Sequence, residues 1–202
     1  MRARSEAPGR ILEAAIAVIE DGGEVAIRVH DIAASCGVTG PILYRAFGSR
    51  EGLIVAAQAE RYRRCTGHDI NALAEAIDGA ATVAELRTAL DAELRTAFEA
   101  DRGRDRRVRA NIVGSCITRP DLAAAIVDID RSLAERAAAA WERAQRRGIV
   151  RTDIDPSVLA SWWMAHLDSR VRIELAPTRV DGNAWNQLAR TAALAAVFGS
   201  AA

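Results

Sequence analysis

Apolar residues recur along this chain at spacings of three and four, with polar residues between them, through most of its length. The first stretch sets Ile11, Leu12, Ala15, Ile16 and Ile19 on one face, which predicts an amphipathic helix over about residues 9–21, ended by Asp21-Gly22-Gly23. Val29, Ile32 and Ala33 mark a short helix over 29–36, and a second follows over 40–47, where Leu43 and Phe47 should be buried. Between them Gly37 falls where a helix C-terminus calls for a positive φ, and Val38 plugs the turn. Thr39 offers a hydroxyl to cap the next helix, and Pro41 suits a first helical turn. Ser49 would cap a fourth helix reaching about residue 65, although Gly52 stands where a Glu would complete a capping box.

Residues 66–81 carry the weakest pattern, a short helical stretch flanked by Gly67 and Gly79. Further helices are predicted at about 82–100, 104–118, 121–147, 157–175 and 183–198, with Pro120 and Pro156 at helix starts, Asp155 as an N-cap, and Gly148 just past the long Ala-rich helix. The abundance of Ala and Leu and the scarcity of aromatics agree with an all-α chain of about nine to ten helices.

Residues 28–53, RVHDIAASCGVTGPILYRAFGSREGL, thus read as two short helices joined by a tight turn and followed at once by a capped third. That is the layout of a helix-turn-helix, whose second helix enters the DNA major groove. Within it stand Asp31-Ile32-Ala33, Gly37-Val38-Thr39, Leu43-Tyr44, Phe47 and Ser49-Arg50-Glu51, in order and without a gap. On these residues the chain resembles the TetR family of transcriptional regulators over about residues 10–62; beyond that the likeness is one of length and helical organisation. The sequence departs from the commonest pattern at Arg28, at Gly40-Pro41 and at Ala46, so no operator sequence carries over.

The resemblance implies an N-terminal helix-turn-helix DNA-binding domain at 1–48, a connecting helix at 49–65, and a helical effector-binding and dimerisation domain at 66–202. It further implies a repressor that binds a palindromic operator as a homodimer and is released by a small molecule of unknown identity. On the DNA side, Thr39 and Tyr44 present hydroxyls to phosphates, and Arg50 stands where the family places a basic phosphate clamp. Arg45, Gly40 and Pro41 are the candidates for reading bases, Arg45 by bonding guanine and Pro41 by touching a thymine methyl, while Arg28 and His30 border the groove. Residues 1–8, with Arg2 and Arg4, form either a disordered leader or a basic arm reaching a groove.

Family members pair through their last two helices, which points here to Leu159, Trp163, Leu167, Trp185, Leu188, Ala192 and Ala195; an internal core is the alternative reading of these apolar faces. The middle helices resemble the family's effector domain. Candidate pocket residues are Phe98, Asn111, Ile112, Ser115, Cys116, Trp141, Trp162, Trp163, Met164 and His166, and each of them fits a core position equally well.

Composition changes the picture in two ways. The 27 basic residues are matched by 27 acidic ones, so DNA binding must rest on a local basic face rather than on net charge. Every basic residue is Arg, the side chain suited to two-pronged contacts with phosphate and guanine. No apolar run is long enough to cross a bilayer and the N-terminus lacks an apolar signal core, which predicts a cytoplasmic chain without membrane contact. Cys36, Cys65 and Cys116 are odd in number with no C-x-x-C pairing, and His30, His68 and His166 have no ligand-like spacing, so neither a disulfide framework nor a metal site is indicated. Hydrolase, nucleotide-binding and dinucleotide-binding motifs are absent, which excludes the common enzyme classes and their cofactors. The rival from another class is a dimeric helical adaptor that has lost DNA binding.

Overall fold

A computed structural model describes residues 6–199, whose regular elements are all helices with no strand among them. The chain divides into two compact units: residues up to 63 together with 115–127 (unit 1), and 64–114 together with 128 onward (unit 2). Arg2 and Arg4 of the expected N-terminal arm lie outside the described residues.

Unit 1 contains α1 (Ala7–Gly22), α2 (Val29–Ser35), α3 (Gly40–Phe47) and the first turns of α4 (Arg50–Gly79). Its core is aliphatic: Ile11, Ala15 and Ile19 from α1, Ile27 before α2, Ile32 from α2, Leu43 from α3, and Leu53, Ile54 and Ala57 from α4. Leu43 is fully buried, as the spacing predicted, whereas Phe47, expected to be buried too, is half-buried against the same cluster. Leu122 and Ile126 of the returning segment are also buried.

Unit 2 holds the rest of α4, then α5 (Val83–Ala97), α6 (Gly103–Ser115), α7 (Pro120–Arg146), α8 (Pro156–Asp168), the single turn α9 (Val171–Glu174) and α10 (Gly182–Phe198), apart from the residues of α6 and α7 that belong to unit 1. Its core joins Ile70, Leu73 and Ile77 of α4 to Leu86, Leu90 and Leu94 of α5, Trp141 of α7, Trp163 of α8 and Val197 of α10.

Three predicted helix limits need correction. The fourth helix does not stop near residue 65 but runs unbroken to Gly79. Ile70, Leu73 and Ile77 form a buried stripe on it, and that packing outweighs the cost of about 1 kcal/mol for a helical glycine at Gly67. The stretch predicted over 157–175 breaks after Asp168, where Ser169 Oγ donates to the His166 carbonyl at 2.6 Å and offers the backbone a local alternative to the helix. The stretch predicted over 104–118 ends as an α-helix at Ser115 and finishes in a 3-10 turn, Cys116–Thr118.

Side chains close several other helix ends, among them the predicted N-cap at Asp155. Asp155 accepts from the Ser157 amide at 2.8 Å. Thr82 and Glu85 form a reciprocal capping box at the start of α5. Arg147 donates to the Ile77 carbonyl at 2.7 Å and to that of Ala80, satisfying the C-terminal carbonyls of α4.

Candidate nucleic-acid interface

The turn between α2 and α3 is fixed by backbone chemistry. Gly37 takes a φ of 64°, a value L side chains resist, and the Val38 amide then closes on the Ala33 carbonyl at 2.9 Å. Because Leu43 anchors one side of α3 in the core, the other side is left to solvent: Pro41, Arg45 and Ala46 are exposed, and Tyr44 keeps 47% of its surface accessible. Thr39 is also exposed, but its hydroxyl makes no capping bond, contrary to the sequence expectation. Pro at the helix start removes one of the amides such a cap would serve, and the hydroxyl stays free of the helix.

The junction from α3 to α4 is tight. Ser49 Oγ accepts from the Gly52 amide at 2.9 Å, the expected cap. A Cβ added at Gly52 would lie 2.0 Å from the Phe47 carbonyl oxygen, which explains why no Glu completes a capping box there. Side chain and close approach are incompatible, and the approach sets the angle between the exposed helix and α4.

The predicted DNA-side residues fall in unit 1, all exposed except the half-buried Gly40. They differ in what already holds them. Arg28 turns back on its own turn, donating to the carbonyls of Val25 at 2.6 Å and Ile27 at 3.2 Å. Arg50 donates from Nε to the Ile27 carbonyl at 3.1 Å and from Nη2 to the Glu24 carbonyl at 2.7 Å. His30 and Arg45 lie on the exposed faces of α2 and α3.

A polar network that the sequence reading missed lies behind Arg50. The Glu24 carboxylate accepts from Gln58 Nε2 at 2.6 Å and from Arg119 Nη1 at 2.8 and 3.1 Å, while Arg119 Nη2 donates to Glu51. Arg61 extends the chain by donating to Gln58 Oε1 at 2.7 Å. Burial alone would push the Glu24 carboxyl up; the hydrogen bonds from Gln58 and Arg119 overcome it and hold the carboxyl below its ordinary value. Glu24 and Arg119 are 95 positions apart, so no local pattern could have paired them.

Unit 2 takes up most of the other candidates. Trp141 and Trp163 meet edge to face at 5.4 Å, deep in the core, and Leu159 and Leu167 are buried beside Trp163 on α8. Phe98 is buried against His166 and Trp185, with ring centres 5.8 and 5.3 Å apart. His166 stacks on Trp162 and donates from Nε2 to the Ala189 carbonyl at 3.0 Å; burial holds its imidazole below its ordinary value in spite of that bond. Met164 is half-buried, Ile112 is buried and Asn111 is exposed. Ser115 and Cys116 fall in unit 1. A void of about 20 Å³ is lined by Asp69, Ala72 and Leu73 of α4, Glu93, Leu94 and Ala97 of α5, and Trp163 and Leu167 of α8. Of the interface candidates, Leu188 and Ala192 are exposed, while Trp185 and Ala195 are half-buried.

Residues 11–57 match the sequence model of the bacterial regulatory proteins of the tetR family. No curated protein matches the chain. Among solved structures, a TetR-family transcriptional regulator from Rhodococcus sp. is 22% identical with a TM-score of 0.65, over 95% of this chain and 96% of that one. A transcriptional regulator from Saccharomonospora viridis in complex with choline is 21% identical, TM-score 0.63, over 96% and 98%. SmeT of Stenotrophomonas maltophilia, in complex with triclosan, is 22% identical, TM-score 0.62, over 96% and 92%. Among the described residues no helix is long and apolar enough to cross a membrane. The family comprises DNA-binding regulators rather than enzymes, and this chain carries its helix-turn-helix domain at the N-terminus of a helical fold shared with solved TetR-family regulators.

Proposed function

We propose that the protein is a transcriptional repressor that binds a palindromic operator as a homodimer and releases it when a small molecule binds unit 2. The observation that carries this reading is α3: one face is anchored through Leu43, and the other offers Thr39, Pro41, Tyr44 and Arg45 to solvent with no protein covering them. Thr39, Tyr44 and Arg50 take phosphates in this scheme. Arg45 and Pro41 read base edges, with Gly40 allowing close approach and Arg28 and His30 at the groove's border.

One such module covers too little DNA for strong specificity, which is why pairing belongs to the proposal. The faces of α8 and α10 that unit 2 leaves open support it. Val158, Ser161, Trp162 and Ala165 recur at helical spacing on α8, and Ala184, Leu188 and Ala192 on α10, with Leu188 68% exposed. Such faces of small and apolar residues suit close helix packing between two copies. Leu159, Trp163 and Leu167, the opposite side of α8, serve the core instead.

The effector enters at the void between α4, α5 and α8. At about 20 Å³ it has room for one water, so a ligand must part these helices to bind. That two proteins of this fold hold choline and triclosan supports a small organic effector. Its effect is limited to its differential affinity for the operator-bound and released forms, typically about 1–3 kcal/mol.

A second reading, a dimeric adaptor without DNA binding, is favoured by the internal bonds of Arg28 and Arg50. Fluorescence anisotropy on DNA from upstream of the protein's own gene, at several salt concentrations, separates the two. A repressor loses affinity steeply as salt rises; an adaptor gives no such dependence.

A further inference from the structure

The turn Glu24–Ala26 leads through Ile27 directly into α2, and α2 carries α3 through the Gly37 turn. Whatever holds that turn therefore aims the exposed helix. Three groups hold it at Glu24. Gln58 of α4 and Arg119 bond its carboxylate, and Arg50 bonds its carbonyl. Arg119 alone also reaches Glu51 in the first turn of α4, so its guanidinium clasps the turn before α2 to the helix that follows α3. It does a second thing. Glu24 and Glu51 lie beside Arg50, and both would repel a phosphate approaching that residue if left uncompensated; Arg119 neutralises them with charge-assisted bonds. The guanidinium's rigid fork reaches two carboxylates through separate prongs, whereas a compact ammonium would have to bring both to one nitrogen.

We propose that Arg119 is a positioning residue for DNA recognition, acting through Glu24 and Glu51 without itself touching DNA. The proposal rests on the repressor reading above but concerns a residue outside the helix-turn-helix motif. Arg119 lies in the segment between α6 and α7, which no family motif marks.

The test is operator affinity for R119A, R119K and the E24Q/E51Q pair, alone and with R119A, each read across a salt series. R119A should weaken binding roughly tenfold, the scale of one charge-assisted hydrogen-bonded pair. It should leave the salt slope unchanged, because no phosphate contact is lost, and R119K should recover only part of the affinity. In the E24Q/E51Q background R119A should have little further effect, since its partners no longer carry charge. An equal loss in both backgrounds, or a slope lower by about 1, would identify Arg119 as a phosphate contact and overturn the proposal. Unchanged affinity with a lower melting temperature would reduce it to a structural bond. Amide exchange without DNA gives an independent readout: R119A should speed exchange over residues 24–27 and α2, and no change there overturns the proposal. Failure of the unaltered protein to bind any DNA would instead tell against the repressor reading.

Discussion

The two units are built from different materials. Unit 1 keeps its interior aliphatic and its charges at the rim, where the guanidinium groups of Arg28, Arg50 and Arg119 bond carbonyls and carboxylates. Unit 2 takes charge inside. Arg109 is buried, with Nε on Asp168 at 2.6 Å and Nη1 on Asp69 at 3.0 Å, and Arg106 is buried with Nε on Glu174 at 2.9 Å and Nη2 on the Glu99 carbonyl at 2.9 Å. Burial opposes the charge of Arg109, but Asp168 and Asp69 keep its guanidinium even more firmly protonated than usual. The difference separates two design problems. A unit that offers its polar chemistry to solvent keeps it at the surface, so those side chains are free to vary without loss of the fold. The other unit fixes how its helices meet by pairing charges that cannot be left alone.

The largest effect should follow from breaking such a pair. Arg109→Ala takes the guanidinium from Asp168, leaves Asp69 with Arg102 alone, and removes the bond to the Cys65 carbonyl. Stability should fall by about 3–5 kcal/mol, measured by urea unfolding. A loss below 1 kcal/mol would mean that water reaches these groups and that the contrast between the units is wrong. Next in size is Gly52→Ala in unit 1, where the new Cβ meets the Phe47 carbonyl oxygen and the α3–α4 junction must shift. Strain of roughly 1–3 kcal/mol is expected. Its signature should be operator affinity lost out of proportion to stability, since the angle of α3 changes before the unit unfolds. Full affinity in this variant would show that the junction does not aim the helix.

The contrast also explains what was legible in advance. Gly37, Pro41, Leu43 and Ser49 announce unit 1 because each does its work within a few residues of itself, by dihedral preference, helix-start geometry, spacing or cap. The exposed face of α3 follows once Leu43 is placed. Unit 2 was legible as helices but not as an arrangement. Arg106 and Glu174 are 68 positions apart, Arg109 and Asp168 59, and nothing in the neighbourhood of either Arg distinguishes it from the solvated Arg residues of α6. For the same reason both faces of α8 read as apolar, and periodicity could not say that Leu159, Trp163 and Leu167 turn inward while Trp162 lies at the surface. Arg119 was hidden in the same way.

Surface substitutions in unit 1 should sharpen the contrast from the other side. Arg45→Ala and Tyr44→Phe remove exposed groups, so each should change stability by no more than about 0.5 kcal/mol. Their effects on DNA should differ. Arg45→Ala should relax the preference at one base pair by about 1–3 kcal/mol, whereas Tyr44→Phe should weaken binding evenly across operator variants. A selection on randomised operators distinguishes these outcomes. An even loss for Arg45→Ala would move that residue from base reading to phosphate contact.

The smallest effect is one of pH, and it belongs to unit 2. His166 sits among Phe98, Trp162 and the Ala189 carbonyl, and burial lowers its pKa from the ordinary 6.5. As pH falls through that value, the imidazole of the unfolded chain takes up a proton while that of the folded chain stays neutral. The unfolded state then binds more protons, and the stability present above pH 6.5 is lost progressively as the pH drops through the lower, folded-state value. The melting temperature should therefore decline from pH 7.5 to 5.5 in the unaltered protein and decline less in His166→Gln, which cannot take up that proton. Carboxylates titrate in both proteins and cancel in the difference. An equal decline in the two would show that His166 is solvated enough to titrate as it does in the unfolded chain, and that the ring cluster on this side of α8 does not exclude water.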